Sequence, residues 1–296
     1  MALTNRKELN SLISGVSAGV GYSAVTKIES AVTSAKSVVY FALMLIIALV
    51  MFSSPSFAQG SNSLPAIAAQ TKPSVVGVGV YNPLSAPRYQ LLGTGFVVRS
   101  SATKSIIATN HHVVNGKAYD PDKAQISVHV GEGKKARFYT AKLIVQDERA
   151  DVAIIEIDAV LPALTLSDSD YNAPAGSQIM LSGLPIGSVL GLFKAIHIGY
   201  VSAFVPQAIP QKNASQLSIE MIKRLRNPLY VYQLDVTAYP GNSGSPVIET
   251  ATGKVVAIIN SVLVKSTREN VLSDPSGISY AIPVSEIHKL LKQTRQ

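Results

Sequence analysis

Between residue 73 and residue 283 the chain shows almost no hydrophobic repeat of helical period. Short β-branched runs recur instead, broken by Gly, Pro, Asn or Asp about every 8–15 residues. Val75–Val80, Tyr89–Arg99, Ser105–Thr109, Gln125–Val130, Lys135–Val145 and Val152–Ile157 read as strands. A polar, turn-rich stretch from Leu161 to Asn172 bridges to a second set, running from Ser177 to Pro283. Many short strands at even spacing predict an all-β sandwich or barrel. Helix is expected in two places. One is Leu64–Thr71; the other follows Pro283, where Ile287, Leu290 and Leu291 fall on one face. Pro206 to Tyr232 is a long insertion, with helical spacing at Ile219, Ile222 and Leu225. It reads as a decorated surface loop or a lid.

Only 15% of residues are charged and 47% are hydrophobic, so core-forming material is ample. The chain has no cysteine, which excludes disulfides, thiol catalysis and cysteine zinc sites. His129, His197 and His288 are scattered without ligand spacing, so no metal site is expected, and no cofactor. The formal charge is +8, with lysines and arginines dispersed and no aromatic-rich RNA motif beside them. That favours anionic surfaces and excludes a nucleic-acid signature.

Residues 1–58 read as a leader. Val38–Phe52 is an apolar run after Lys36, shorter than the roughly 20 residues a membrane helix needs. Pro55 then breaks it, and Ser56-Phe57-Ala58 has the small-x-small form of an export cleavage site. A cleaved signal peptide and an uncleaved anchor through residues 38–52 are both consistent with this, and both place the remainder outside the cytoplasm.

The chemistry centres on Asp235-Val-Thr-Ala-Tyr-Pro-Gly-Asn-Ser-Gly-Ser-Pro-Val247. A serine hydroxyl needs a base to take its proton and amide donors to hold the oxyanion it creates. Gly241, lacking a Cβ, lets the backbone turn its N–H inward beside that of Ser243, so these two amides are the candidate oxyanion hole. Upstream, an apolar strand runs into His111-His112, and an acidic turn runs through Asp151 into another strand. The order His, Asp, Ser is one of the known triad orders. His111 competes with His112; on a continuing strand their rings would face opposite sides. Asp147 competes with Asp151, but Asp151 abuts an apolar strand where burial favours pairing.

Thr109-Asn-His-His-Val113 resembles the T-N-x-H-V segment of HtrA/Deg-type trypsin-like serine proteases. Asp151-Val-Ala-Ile154 is similar to their D-[IL]-A-[LV], and Gly241–Pro246 to their G-N-S-G-G-P. Pro73–Val76, Gly93–Phe96, Gly183–Gly187 and Tyr280–Pro283 echo further segments in the same order. Ser245 stands where the family usually has glycine. The resemblance implies two six-stranded antiparallel β-barrels of chymotrypsin type with a C-terminal helix. The first barrel, 59–165, would carry His and Asp; the second, 166–296, would carry the nucleophile. It implies His112, Asp151 and Ser243 as the triad. The PDZ domains usual after such a protease are not expected in a chain that stops at Gln296.

The same resemblance implies polypeptide substrates, lying extended against the edge at Ile259, Asn260 and Ser261. The primary pocket would have Thr237 and Ala238 at its floor. Thr237 stands where trypsin has an acidic residue, so a small or aliphatic residue before the scissile bond is expected. The leading reading is an exported serine endopeptidase acting on envelope or misfolded proteins. A protease fold serving as a binding or chaperone module is the alternative. An esterase elbow would need a strand-to-helix turn and a Ser-Asp-His order, and the chain has neither.

Overall fold

A computed structural model describes residues 40, 42–44, 63–115, 124–185, 191–207, 228–260 and 277–294. The chain divides into Met1–Ser61 and Asn62–Gln296. In the first unit Tyr40 and Ala42–Met44 are helical and exposed; the rest of this unit lies outside the described residues. Among the described residues no helix is long and apolar enough to cross a membrane.

The second unit begins with helix α1, Leu64–Thr71, whose N-terminus is capped by the Ser63 hydroxyl accepting from the Ala66 N–H. Six strands follow: β1 Val75–Tyr81, β2 Tyr89–Ser100, β3 Ser105–Thr109, β4 Gln125–Val130, β5 Arg137–Asp147 and β6 Val152–Ile157. They close in the order β1-β2-β3-β6-β5-β4. The second six are β7 Gln178–Gly183, β8 Ala195–Pro206, β9 Tyr230–Asp235, β10 Pro246–Glu249, β11 Val255–Ile259 and β12 Ile278–Pro283. They close as β7-β8-β9-β12-β11-β10, the same path. The named strands pair antiparallel throughout, and each set closes into a barrel.

Each barrel holds its own apolar interior. Val76, Val97, Ile107, Ile126 and Ile155 fill the first, and Ile179, Leu181, Val201, Leu234 and Val247 the second. A third cluster joins them across the seam through Phe96, Ile154, Met180, Ile248 and Ile258. A one-turn helix, α2, spans His111–Val114, and a longer one, α3, spans Val284–Gln293. Helix α3 lays Ile287, Leu290 and Leu291 on the seam cluster and packs against strands of both barrels. Glu286 lies in its first turn and Lys292 in its last, each favourable to the helix dipole.

Two local expectations change. His111 and His112 do not continue β3; the chain turns into α2, because Asn110 already faces the seam and bonds the Asp151 carbonyl. The insertion expected from Pro206 to Tyr232 is shorter, since its ends extend β8 to Pro206 and start β9 at Tyr230. The helical spacing at Ile219–Leu225 lies outside the described residues.

Candidate active site

The first barrel supplies charge. The Asp147 carboxylate, at the end of β5, caps the turn by accepting from the Ala150 N–H at 3.0 Å. Asp151 closes that turn at φ 53°, the single positive φ among described non-glycine residues. Aspartate tolerates this left-handed conformation better than most side chains. The turn aims its carboxylate at α2. Asp151 Oδ1 accepts from the His112 N–H at 2.9 Å, and Oδ2 lies 2.7 Å from His112 Nδ1. A proton on Nδ1 satisfies that contact, which leaves the Nε2 lone pair available. His111 points elsewhere, with Nδ1 3.1 Å from Gln146 Oε1 and Nε2 3.3 Å from Asn115 Nδ2.

The second barrel supplies backbone. Between β9 and β10 the chain runs through a tight turn holding Gly241–Ser245. Gly244 sits at φ 88°, and a Cβ there would stand 1.9 Å from the Thr94 carbonyl oxygen. Only glycine fits both the conformation and the approach. Backbone bonds fix the turn: Asn242 N–H to Tyr239 O at 3.0 Å, Ser245 N–H to Asn242 O at 2.9 Å, and Gly244 N–H to Ile259 O at 3.0 Å. The Gly241 N–H makes no hydrogen bond among the described residues. Ser243 is buried, at 4% exposure.

Thr94 on β2 ties the two halves together. Its N–H donates to the Ser243 carbonyl at 2.7 Å and its hydroxyl to the Gly241 carbonyl at 2.7 Å. The same hydroxyl accepts from the Leu184 N–H at 3.1 Å. Gly93 marks how close the halves come. A Cβ on it would lie 2.7 Å from both the Ser243 carbonyl oxygen and a methyl of Val113, the residue after His112.

Asn260 closes the seam from the other direction. It is buried, and its side-chain amide donates to Asp151 Oδ2 at 2.7 Å. Sequence reasoning placed Asn260 at a substrate edge and missed this contact, as it missed the Asn110 and Thr94 bonds. An asparagine at the end of a strand gives no local sign of a carboxylate 109 positions away. Ile259 is fully buried, and its N–H and carbonyl are engaged by Ser245 and Gly244. Thr237 and Ala238 are half-buried between β9 and the turn. Ser261 lies outside the described residues. Nearby, His197 of β8 sets its ring 5.8 Å from that of Tyr239, and burial holds its imidazole below the usual range. Among the described residues no group of acidic, histidine or cysteine side chains could hold a metal ion.

Two matching antiparallel barrels, with a His–Asp pair on one and a glycine-bounded serine turn on the other, define the trypsin-like peptidase class. The chain belongs to the trypsin-like peptidase domain family, which it matches over residues 93–258. It is also similar to a probable periplasmic serine endoprotease DegP-like of Chlamydia muridarum. That match is 31% identical over 212 residues, covering 71% of this chain and 35% of the relative. It is also similar to a serine protease Do-like HtrA of Bacillus subtilis, 28% identical over 203 residues, covering 68% of this chain and 38% of the relative. The chain thus spans only about a third of the length of these curated relatives. Among solved structures, the active form of the Rv3671c protease from M. tuberculosis shares the fold. Its TM-score is 0.55 at 21% identity, over 82% of this chain and 88% of that one.

Proposed function

We propose that this chain is a serine endopeptidase in which Ser243 is the nucleophile, His112 the general base and then acid, and Asp151 the orienting carboxylate. The observation that carries the reading is the His112–Asp151 pair, at 2.7 Å, beside a turn that holds Ser243 against β2. Asp151 fixes the imidazole tautomer and stabilises the imidazolium formed when His112 takes the Ser243 proton. Attack on the scissile carbonyl gives a tetrahedral oxyanion, received by the N–H groups of Gly241 and Ser243. His112 then returns the proton to the leaving amine, and water hydrolyses the acyl-enzyme by the same route. Asn260 helps position Asp151 by donating to Oδ2, the oxygen that also faces His112 Nδ1.

The substrate lies extended along the edge at Ile259, Asn260 and Ser261. Thr237 and Ala238 form the pocket floor, and a small or aliphatic residue precedes the scissile bond. Residues 1–58 act as an export leader, 59–165 and 166–296 as the two barrel domains, and the substrates are misfolded or envelope proteins. The names of the DegP-like relatives, which call them periplasmic, support the export reading.

A fluorophosphonate probe tests the assignment. Labelling of the full chain that disappears in Ser243→Ala supports it; labelling that persists at another residue, or none at all with an intact fold, refutes it. A peptide panel differing only before the scissile bond tests the pocket, and a strong preference for Arg, Lys or Glu would refute that part.

A further inference from the structure

Away from the His–Asp–Ser seam, the outer end of β2, the inter-barrel linker and helix α3 meet around a cavity of about 310 Å3. One part of its lining is apolar: Val98 from β2, Leu164 and Leu166 from the linker, and Leu291 from α3. The first three are only partly covered by the core they pack on. Its polar lining is basic: Arg99, Lys292 and His288, with no acidic side chain among the lining residues. The side chains of Arg99 and Lys292 have no ion-pair or hydrogen-bond partner among the described residues. In contrast, Lys104 and Lys289 pair with Glu156 and Glu286.

The linker wall is fixed in place. The Leu164 N–H donates to Val97 O at 2.9 Å, and the Ser167 N–H to Val255 O at 2.9 Å, one bond to each barrel. His288 Nε2 lies 2.8 Å from the Ser167 carbonyl oxygen, which sets the ring's orientation and places a proton on Nε2. Beside it the Ser167 hydroxyl is buried, at 3% exposure, with no hydrogen-bond partner among the described residues. A half-open cleft with an apolar wall and unpaired cations at its edge has the anatomy of a ligand site rather than a packing gap.

We propose that this cavity binds a small organic monocarboxylate. The apolar body sits among Val98, Leu164, Leu166 and Leu291, and the carboxylate sits between Arg99 and Lys292. Charge complementarity selects the anion, and the small half-open volume suits a compact alkyl or aryl group. Arg99 gives the anchor its direction, since a guanidinium can take both carboxylate oxygens at once, whereas the lysine acts as a point charge.

The test uses 4-fluorophenylacetate as probe, followed by fluorine NMR during titration of the full chain. Saturable binding is expected, with 4-fluorophenethyl alcohol and inorganic phosphate each weaker by about tenfold or more, because each lacks one half of the match. Arg99→Gln should weaken the acid by about tenfold while leaving the alcohol unchanged. Leu166→Trp, which fills the cleft, should abolish binding, and Ser243→Ala should leave it intact. The last variant separates this site from the proposed catalytic one. Absence of saturable binding overturns the proposal, as does equal affinity for acid and alcohol, or loss of binding in Ser243→Ala. Arg99→Gln and Leu166→Trp that both bind like the parent also overturn it.

Discussion

The two barrels follow one topology, yet they bring opposite kinds of chemistry to their seam. The first offers side chains: a histidine on a single helical turn and an aspartate held at positive φ. The second offers main chain: a turn whose shape depends on Gly244 and whose candidate donor, the Gly241 N–H, has no other hydrogen-bond partner. Side-chain chemistry tolerates a loosely specified backbone as long as the carboxylate and imidazole meet. Backbone chemistry tolerates varied neighbours but not a Cβ at the wrong point. Each half should therefore fail in its own way when altered.

The largest effect belongs to the side-chain half. His112→Ala should lower peptide hydrolysis by about 10,000-fold or more with little change in stability, measured as kcat/KM beside a denaturant melt. Gly244→Ala should instead cost stability first, about 3 kcal/mol or more in urea unfolding, because strain and a clash with Thr94 act together. Gly253→Ala is its control. That glycine also has positive φ, at 69°, but no atom lies within 4 Å of a Cβ there, so about 1 kcal/mol is expected. Equal losses at the two glycines would break the argument that the approach to β2 matters.

Asn260→Ala removes a charge-assisted hydrogen bond while leaving the His112 contacts in place, so turnover should fall about tenfold. A rise in KM with kcat unchanged would instead assign Asn260 to substrate binding. Ser245 carries a hydroxyl that is fully buried and has no partner among the described residues. Ser245→Ala should raise stability by about 1 kcal/mol in the same melt. The smallest effect concerns two histidines, the buried His129 in the first barrel and the half-buried His197 in the second, whose imidazoles desolvation holds below their ordinary value. The native state then binds fewer protons than the unfolded chain. Stability from these groups is complete above the ordinary value of about 6.5 and declines as pH falls below it. Replacing both by Gln should flatten the slope of unfolding free energy between about pH 7 and pH 5.

Much of the architecture was legible in the sequence because its signals are local. β-branched runs ended by turn residues marked β3, β4 and β6 at their observed bounds, and helical spacing after Pro283 marked α3. The glycines of the serine turn announced a special backbone. The resemblance, rather than spacing, chose His112 over His111, because alternation along a strand was the wrong geometry for a residue that lies in a helical turn. What stayed illegible is what distance in sequence hides. Thr94 gives no hint that it holds a carbonyl 147 positions away, and Asn260 none that it reaches Asp151. The linker looked merely polar, though alternate residues in it turn leucines inward and form one wall of a cavity.

Thr94 has a consequence for how such a molecule can be rebuilt. A threonine on the first barrel sets the pose of the serine turn on the second, so the turn is tailored by its neighbour rather than by its own barrel. A hybrid joining this second barrel to a foreign first one would inherit every glycine and every strand, yet its serine loop would hang without the clasp that shapes it.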